Sequence, residues 1–264
     1  MDQQRVDARV QAYYAHEFVE DDRLTVRSAQ GRLELERVQE LIAARVPSRS
    51  RILDVGGATG VHAAALAAAG HEVVLIDPVP EQVRVAAGVG TFDAAVGDAR
   101  DLQHDDDSFD AAILLGPLYH LVSREDRLLA LTEARRVVRG GGWVFAAAIP
   151  RLARVAALSL AGEAPRLDAA QWTLLLEDGA APDWGRFPGA HFHTSDELED
   201  ELTQAGLVDV SVCAVEGPDG FALEQVPEVD EAVHEAALHV VRAVGHLPGV
   251  RDLSNHMMGI ARVP

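Results

Sequence analysis

No lysine occurs among the 264 residues, so all 23 basic side chains are arginine. That absence excludes a lysine Schiff base and a phosphate-binding loop built on a lysine. A single cysteine, Cys213, excludes an intramolecular disulfide and a multi-cysteine zinc site. It stands in a β-like run, Val208–Val215, where a small packed side chain is expected. Aromatic residues make up only 5% of the chain, which argues against a fully aromatic ligand cage. No window holds the roughly 18 uninterrupted apolar residues that a membrane-spanning helix needs. No basic segment followed by an apolar one opens the chain, so a cytoplasmic protein without membrane contact is expected. Positive charge is also scarce, with 23 basic against 42 acidic residues and a net charge of −19. Such a surface repels phosphate backbones, and no nucleic-acid partner is expected.

What is present suits one sizeable α/β domain with an elaboration: 48% apolar and 25% charged residues. From position 51 to 149 short β-like runs alternate with helical ones. Strands are expected over Arg51–Val55, Glu72–Ile76, Thr91–Val96, Phe109–Leu115 and Trp143–Ile149. The first two are apolar and β-branched, as strands covered on both faces should be. The segment Val61–Ala69 reads as a helix closed by Gly70, and Pro80 opens another. Ser123 and Asp126 read as an N-cap with a partial capping box. The helix behind them carries Leu128, Leu131 and Val138 on one face, and Gly140–Gly142 are expected to end it. This alternation predicts a doubly wound parallel sheet.

The flanks differ. Residues 1–50 read as mostly helical and 150–193 as a helical insert followed by a loop, both available as a lid. In 194–264, Thr194 and Glu197 form a capping box for a helix over 195–205. Strands over Leu207–Val215 and His256–Val263 follow, with a helix near 228–245 between them. The core segment is 51–149, completed by 194–264.

The segment Ile52-Leu-Asp-Val-Gly-Gly-Ala-Thr-Gly60 turns a buried strand into a helix through glycines. Such a turn brings a ligand close to the backbone and offers it the free amides of a helix N-terminus. A dinucleotide fingerprint would need small residues at Gly56, Ala58 and position 61, and Val61 is wrong for close packing. Counted as acid-x-Gly-x-Gly-x-Gly, the segment gives Asp54, Gly56, Ala58 and Gly60, with Ala58 alone departing from glycine.

That spacing resembles the first motif of the class I S-adenosylmethionine-dependent methyltransferases, and four further segments match in order. They are Leu75-Ile-Asp-Pro78, Gly97-Asp-Ala-Arg100, Phe109-Asp-Ala-Ala-Ile-Leu-Leu115 and Arg139-Gly-Gly-Gly-Trp143. Gly116-Pro-Leu-Tyr-His120, Tyr13-Tyr14 and Gly31-Arg-Leu-Glu34 are similar to a bacterial small-molecule subgroup, many of whose members act on natural products. The resemblance implies a seven-stranded Rossmann-like sheet with S-adenosylmethionine as cofactor. It places Asp54, Gly56, Gly57, Ala58, Gly60 and Leu115 around that cofactor, with Asp77 and Pro78 at the ribose. Asp98, Ala99 and Arg100 would lie at the adenine, and Tyr14 would close over the methionine end.

Methyl transfer from a sulfonium is an in-line displacement, so the protein chiefly aligns groups and excludes water. A protonated nucleophile also needs a base, and histidine is the natural one. His120, just past the fourth strand, is the expected base or acceptor contact, with Tyr119 and His193 as further acceptor contacts. His191 and His193 lack a convincing third ligand, so no metal is expected. His234 and His239 are read as facing solvent or an interface, and Trp172 and Trp184 as core residues of the insert. The expected function is transfer of a methyl group to a small organic acceptor. A protein or RNA methyltransferase and a nicotinamide-dependent oxidoreductase remain the alternatives.

Overall fold

The computed structural model describes residues 3–16, 24–25, 27–182, 184 and 190–264. Its centre is a seven-stranded sheet in the order β3-β2-β1-β4-β5-β7-β6. The strands are β1 (Arg51–Val55), β2 (Glu72–Asp77), β3 (Asp93–Val96), β4 (Phe109–Leu114), β5 (Val138–Ala148), β6 (Val208–Ala214) and β7 (Met257–Arg262). The first five run parallel, and β7 enters antiparallel between β5 and β6. The expected seven-stranded Rossmann-like α/β fold is therefore what the chain adopts.

Successive residues of β1 feed opposite faces. Ile52 joins Leu75, Ile113, Phe145 and Ile260 in one core, while Leu53 and Val55 join Leu114, Val144, Leu198 and Leu202 in the other. Helices cover both faces, so burial of each such side chain stabilises the fold by about 1.5–3 kcal/mol. The strand order turns around β1, with β2 on one side and β4 on the other. The crevice at the carboxyl ends of β1 and β4 is where open sheets of this kind take ligands.

One junction departs from the expectation. The helix Arg124–Val137 ends before Val138, and Gly140–Gly142 do not stop it; they lie inside β5. The pairing of β4 with β5 jumps from Phe109↔Val138 to Ala111↔Trp143, so the glycines form a bulge. A β-carbon on Gly142 would stand 2.5 Å from Val138 Cγ1 and 2.6 Å from the Asp110 carbonyl oxygen, which only glycine tolerates.

Between β5 and the helix Ser195–Gln204 lie the helices Arg151–Leu160 and Ala169–Asp178. They form a small core of their own around Leu158, Leu175 and Phe192, with Trp172 and Trp184 packed on it as expected. Arg151 ties this segment down, donating to the carbonyls of Phe192, Leu176 and Glu177 and pairing with Glu197. The Thr194–Glu197 capping box is present in both directions.

Candidate functional site

The turn after β1 is shaped by its small residues. Gly56 and Gly60 take left-handed backbone angles, φ +73° and +90°, and Ala58 joins them at +49°. An alanine in that region is strained by roughly 1–2 kcal/mol. The strain is offset where the Ala58 amide donates to Asp77 Oδ2 at 2.9 Å, linking the ends of β1 and β2. A β-carbon on Gly56 would come within 2.8 Å of Pro117 Cγ, so the turn after β1 touches the loop after β4. Gly60 serves a different end from the expected ligand contact. Its α-carbon packs against Phe92, whose Cζ would lie 2.4 Å from an added β-carbon, and it does not line the cleft.

A cleft of about 170 Å3 opens beside this turn. Asp54, Gly56, Gly57 and Ala58 line it from β1, Asp77 and Pro78 from β2. Asp98, Ala99 and Arg100 reach it from the loop after β3, Leu115, Tyr119 and His120 from beyond β4. Twelve positions singled out in the sequence, from four consecutive strand ends, thus meet at one crevice.

Three of the carboxyl groups that line it, on Asp54, Asp77 and Asp98, are in different states. Asp54 is 1% exposed, and neither oxygen has a hydrogen-bond partner. Burial, with the neighbouring Asp77 charge, raises its pKa to about 8, so it is a neutral acid at pH 7. Asp77 accepts from the amides of Ala58 and Val79, at 2.9 and 2.8 Å, which fixes both oxygens at the strand end. A carboxylate oxygen has a second lone pair, so Asp77 can still accept from a ligand hydroxyl. Asp98 is gripped by Arg100 through its amide and guanidinium, at 2.9 and 2.6 Å. Burial pushes the Asp98 pKa up, but these bonds bring it below the ordinary value.

Three residues that the sequence did not reveal roof the cleft. Gln3, Asp7 and Gln11 recur at a spacing of four on the helix Gln3–His16, so they share one face. Gln3 bonds the His120 carbonyl at 3.0 Å and accepts from the Val122 amide at 2.8 Å. Asp7 pairs with Arg100 at 3.1 Å, and Gln11 reaches the Pro78 carbonyl at 3.4 Å. One helix face thus holds the loops after β2, β3 and β4. The pattern of a polar stripe was present in the sequence, but nothing local said what it faced. The side chain of Tyr14, on the same helix, lies outside the described residues.

Of the expected acceptor contacts, Tyr119 and His120 stack side by side with ring centroids 4.6 Å apart. Burial lowers the His120 pKa to about 4, with Asp7 pulling the other way, so the ring is neutral near pH 7. His193 is not at the cleft. It is fully buried, and its Nε2 meets Glu201 Oε2 at 3.2 Å. Glu201 in turn pairs with the buried Arg127 at 2.8 Å. Burial raises the Glu201 pKa, but His193 and Arg127 together hold it down at about 2. His193 is thus a core residue tying the helix Arg124–Val137 to Ser195–Gln204, and the expected lid-side contact is corrected. His234 is likewise buried rather than exposed, its Nε2 bonded to Glu36 at 2.8 Å.

Residues 53–146 match the family described as a methyltransferase domain. Over 93 residues the chain is 38% identical to an uncharacterized methyltransferase of Mycobacterium tuberculosis, covering 35% of this chain and 37% of that protein. It is 35% identical over 125 residues to a demethylmenaquinone methyltransferase of Clavibacter sepedonicus, 46% of this chain and 50% of that one. The chain therefore matches little more than a third to a half of these curated relatives. A crystal structure of an S-adenosylmethionine-dependent methyltransferase from Methanosarcina mazei shares the fold, with a TM-score of 0.57 and 19% identity, over 84% of this chain and 96% of that one.

The residues present fit such a cofactor. The left-handed turn presents backbone rather than side chain to the cleft, as a bulky ligand requires. Asp77 sits where a diol can be accepted, and Asp54 is a buried acid without a partner beneath the turn. Over residues 53–146 the chain is therefore similar to the methyltransferase-domain family, and it shares the seven-stranded fold of a solved S-adenosylmethionine-dependent methyltransferase.

Proposed function

We propose that the protein transfers a methyl group from S-adenosylmethionine to a small organic acceptor in the cytoplasm, with 1–50 and 150–193 as its lid. When bound, the cofactor supplies a methyl group already activated on a sulfonium, so the chain needs mainly to bind, align and keep water out. Asp77 is the ribose acceptor, and the loop Gly97–Arg100 takes the adenine end. The turn Gly56–Ala58 accommodates the methionine end.

The observation that carries a small acceptor is the roof. A helix clasped over three loops by Gln3, Asp7 and Gln11 narrows the cleft, where a macromolecule would need an open groove. The net charge of −19 weighs the same way against RNA. The demethylmenaquinone methyltransferase relative is named for a small molecule, which agrees with this reading. Tyr119 and His120, which line the same cleft, are the acceptor contacts. A ring with a pKa of about 4 is poorly matched to take a proton near pH 7, so His120 orients the acceptor rather than acting as its base.

Methyl-labelled S-adenosylmethionine, incubated with a panel of phenols, amines and carboxylic acids, with RNA and with bulk protein, tests this reading. Label in a small acceptor is expected; label only in RNA or protein overturns it. Calorimetry with S-adenosylmethionine and NADH in parallel removes the oxidoreductase alternative, since only the former is expected to bind.

A further inference from the structure

The helix Ala29–Ala43 brings one more acidic side chain to the cofactor cleft. This is Glu34, 6% exposed, which lines the cleft together with Val61 and His62. Gln39 Nε2, on the same helix, meets His62 Nδ1 at 3.2 Å, which pins that helix to the one starting at Val61, directly after the glycine turn. Glu34 precedes Gln39 by five residues, about 7.5 Å along the axis. Its Oε2 accepts from Gln30 Nε2 at 2.9 Å and lies 3.4 Å from His256 Nδ1. Gln30 Nε2 and His256 Nδ1 also meet at Glu216 Oε1, at 2.6 and 2.7 Å, and Glu216 is fully buried. The position of the Glu34 carboxylate is thus set by a buried network behind it.

His256 also lines a second cavity, of about 250 Å3, past the end of β5, with Ile149, Ala153, Arg154 and Phe192. Glu34 lines the cleft and not that cavity, so it is the member of the network that a ligand in the cleft meets. The sheet shows on which side. His256 immediately precedes β7, whose first residue pairs with the last of β5, so it stands at the carboxyl edge on the β4 side of β1. Asp77 and the loop holding Asp98 end strands on the other side of β1. The remaining acids of the cleft are otherwise engaged. Asp7 and Asp98 both pair with Arg100, and Asp54 is neutral at pH 7. Glu34 is thus the carboxylate that faces the cleft beyond the glycine turn.

We propose that Glu34 binds the ammonium group at the amino-acid end of the cofactor, with Gln30 and His256 fixing its carboxylate in place. The proposal rests on the S-adenosylmethionine reading above. A cofactor with its adenine at Asp98–Arg100 and its ribose at Asp77 runs toward the glycine turn and continues on the β4 side. Its amino-acid end there carries one cation and one anion. A carboxylate oxygen has two lone pairs, so the oxygen that accepts from Gln30 can take a further N–H from the cleft. A buried pair of opposite charges is little screened by salt, and the bond is charge-assisted. The ligand's own carboxylate is repelled by Glu34, so one contact fixes which way the end turns. Tyr119 and His120 are left to the acceptor.

The test titrates the full chain by calorimetry with three probes. S-adenosylhomocysteine carries the whole amino-acid end, its desamino analogue keeps the carboxylate but has no ammonium, and 5′-methylthioadenosine lacks that end altogether. Wild type should bind S-adenosylhomocysteine at least about ten-fold more tightly than the desamino analogue, the scale of one charge-assisted hydrogen bond. Glu34→Gln keeps the shape of the side chain and removes its charge. It should bind S-adenosylhomocysteine at least about ten-fold more weakly than wild type does. The two probes without an ammonium should bind the variant no more weakly than wild type, whereas a merely structural role for Glu34 would weaken all three alike. Equal binding of S-adenosylhomocysteine and the desamino analogue to wild type overturns the proposal and leaves the cofactor reading standing. Unaltered S-adenosylhomocysteine affinity in Glu34→Gln does the same, as does a loss shared by all three probes. No binding of any probe to wild type removes the cofactor reading itself, and the proposal with it. Tight binding of Mn2+ alone that Glu34→Gln abolishes also overturns the proposal, since Glu34, Glu216 and His256 would then be metal ligands.

Discussion

The cofactor cleft and the second cavity are built by opposite means. The cleft is lined by turns at the ends of consecutive strands, and its shape comes from backbone: left-handed residues at 56 and 58, and carboxylates fixed by amides. The second cavity is made by side chains from positions 27–30, 149–157, 192, 224–225 and 255–256, which no local pattern joins. A turn can be read from spacing because its geometry demands particular residues in order. A cavity closed by packing cannot, since any of several side chains could fill each place.

The largest effect should come from breaking the cleft alone. Gly56→Val puts a side chain at φ +73° and against Pro117. Affinity for S-adenosylmethionine should fall by at least about 100-fold, or about 2.7 kcal/mol. Calorimetry on the folded variant checks this, and wild-type cofactor affinity would refute the assignment of the turn.

Asp77→Ala is the next step down. It removes an acceptor for ligand hydroxyls and also frees the amides of Ala58 and Val79. Cofactor binding should weaken by roughly 1.5–3 kcal/mol, the scale of charge-assisted hydrogen bonds. Unchanged affinity would take Asp77 out of the site.

Asp54→Asn separates a buried acid from its pH dependence. With the folded pKa raised to about 8, the folded protein keeps a proton that the unfolded chain gives up near pH 4. The stability is fully present below pH 4 and is lost as pH rises through about 8. Asparagine cannot ionise, so the variant should lose less stability between pH 6 and 9, by about 1–3 kcal/mol. Thermal unfolding across that range tests it, and parallel curves for the two proteins would show that Asp54 does not titrate there.

The same division between backbone and packing accounts for what was legible in the sequence. β1, β2 and β4 appeared at the expected positions because strands covered on both faces have continuous apolar runs. Twelve cleft positions were found because glycine spacing and acids at strand ends are local signals. Gly60 and Gly140–Gly142 were recognised as special but given the wrong cause, because glycine also marks close packing and bulges. His193 and His256 show the limit most plainly. Both are histidines beside a strand, and what separates core from cavity is a partner far away in sequence. His193 has Glu201 and no opening, whereas His256 has Glu216 and a cavity wall.

The smallest expected effect sharpens the comparison at the roof, which belongs to the cleft yet is built by side chains. Gln3 bonds both the His120 carbonyl and the Val122 amide, so Gln3→Ala loses two hydrogen bonds to one loop. Each part-buried bond contributes about 0.5–1.5 kcal/mol, and water replaces some of the loss. Asp7 still holds Arg100, so the helix should stay in place. S-adenosylmethionine should therefore bind only a few-fold more weakly, about 0.5–1 kcal/mol, mainly through faster dissociation. Amide exchange at Val122 should rise in step, because its acceptor is gone. Stopped-flow release of the cofactor and hydrogen exchange together decide the matter. Faster exchange with unaltered release would mean that the helix packs on the domain without gating the cleft.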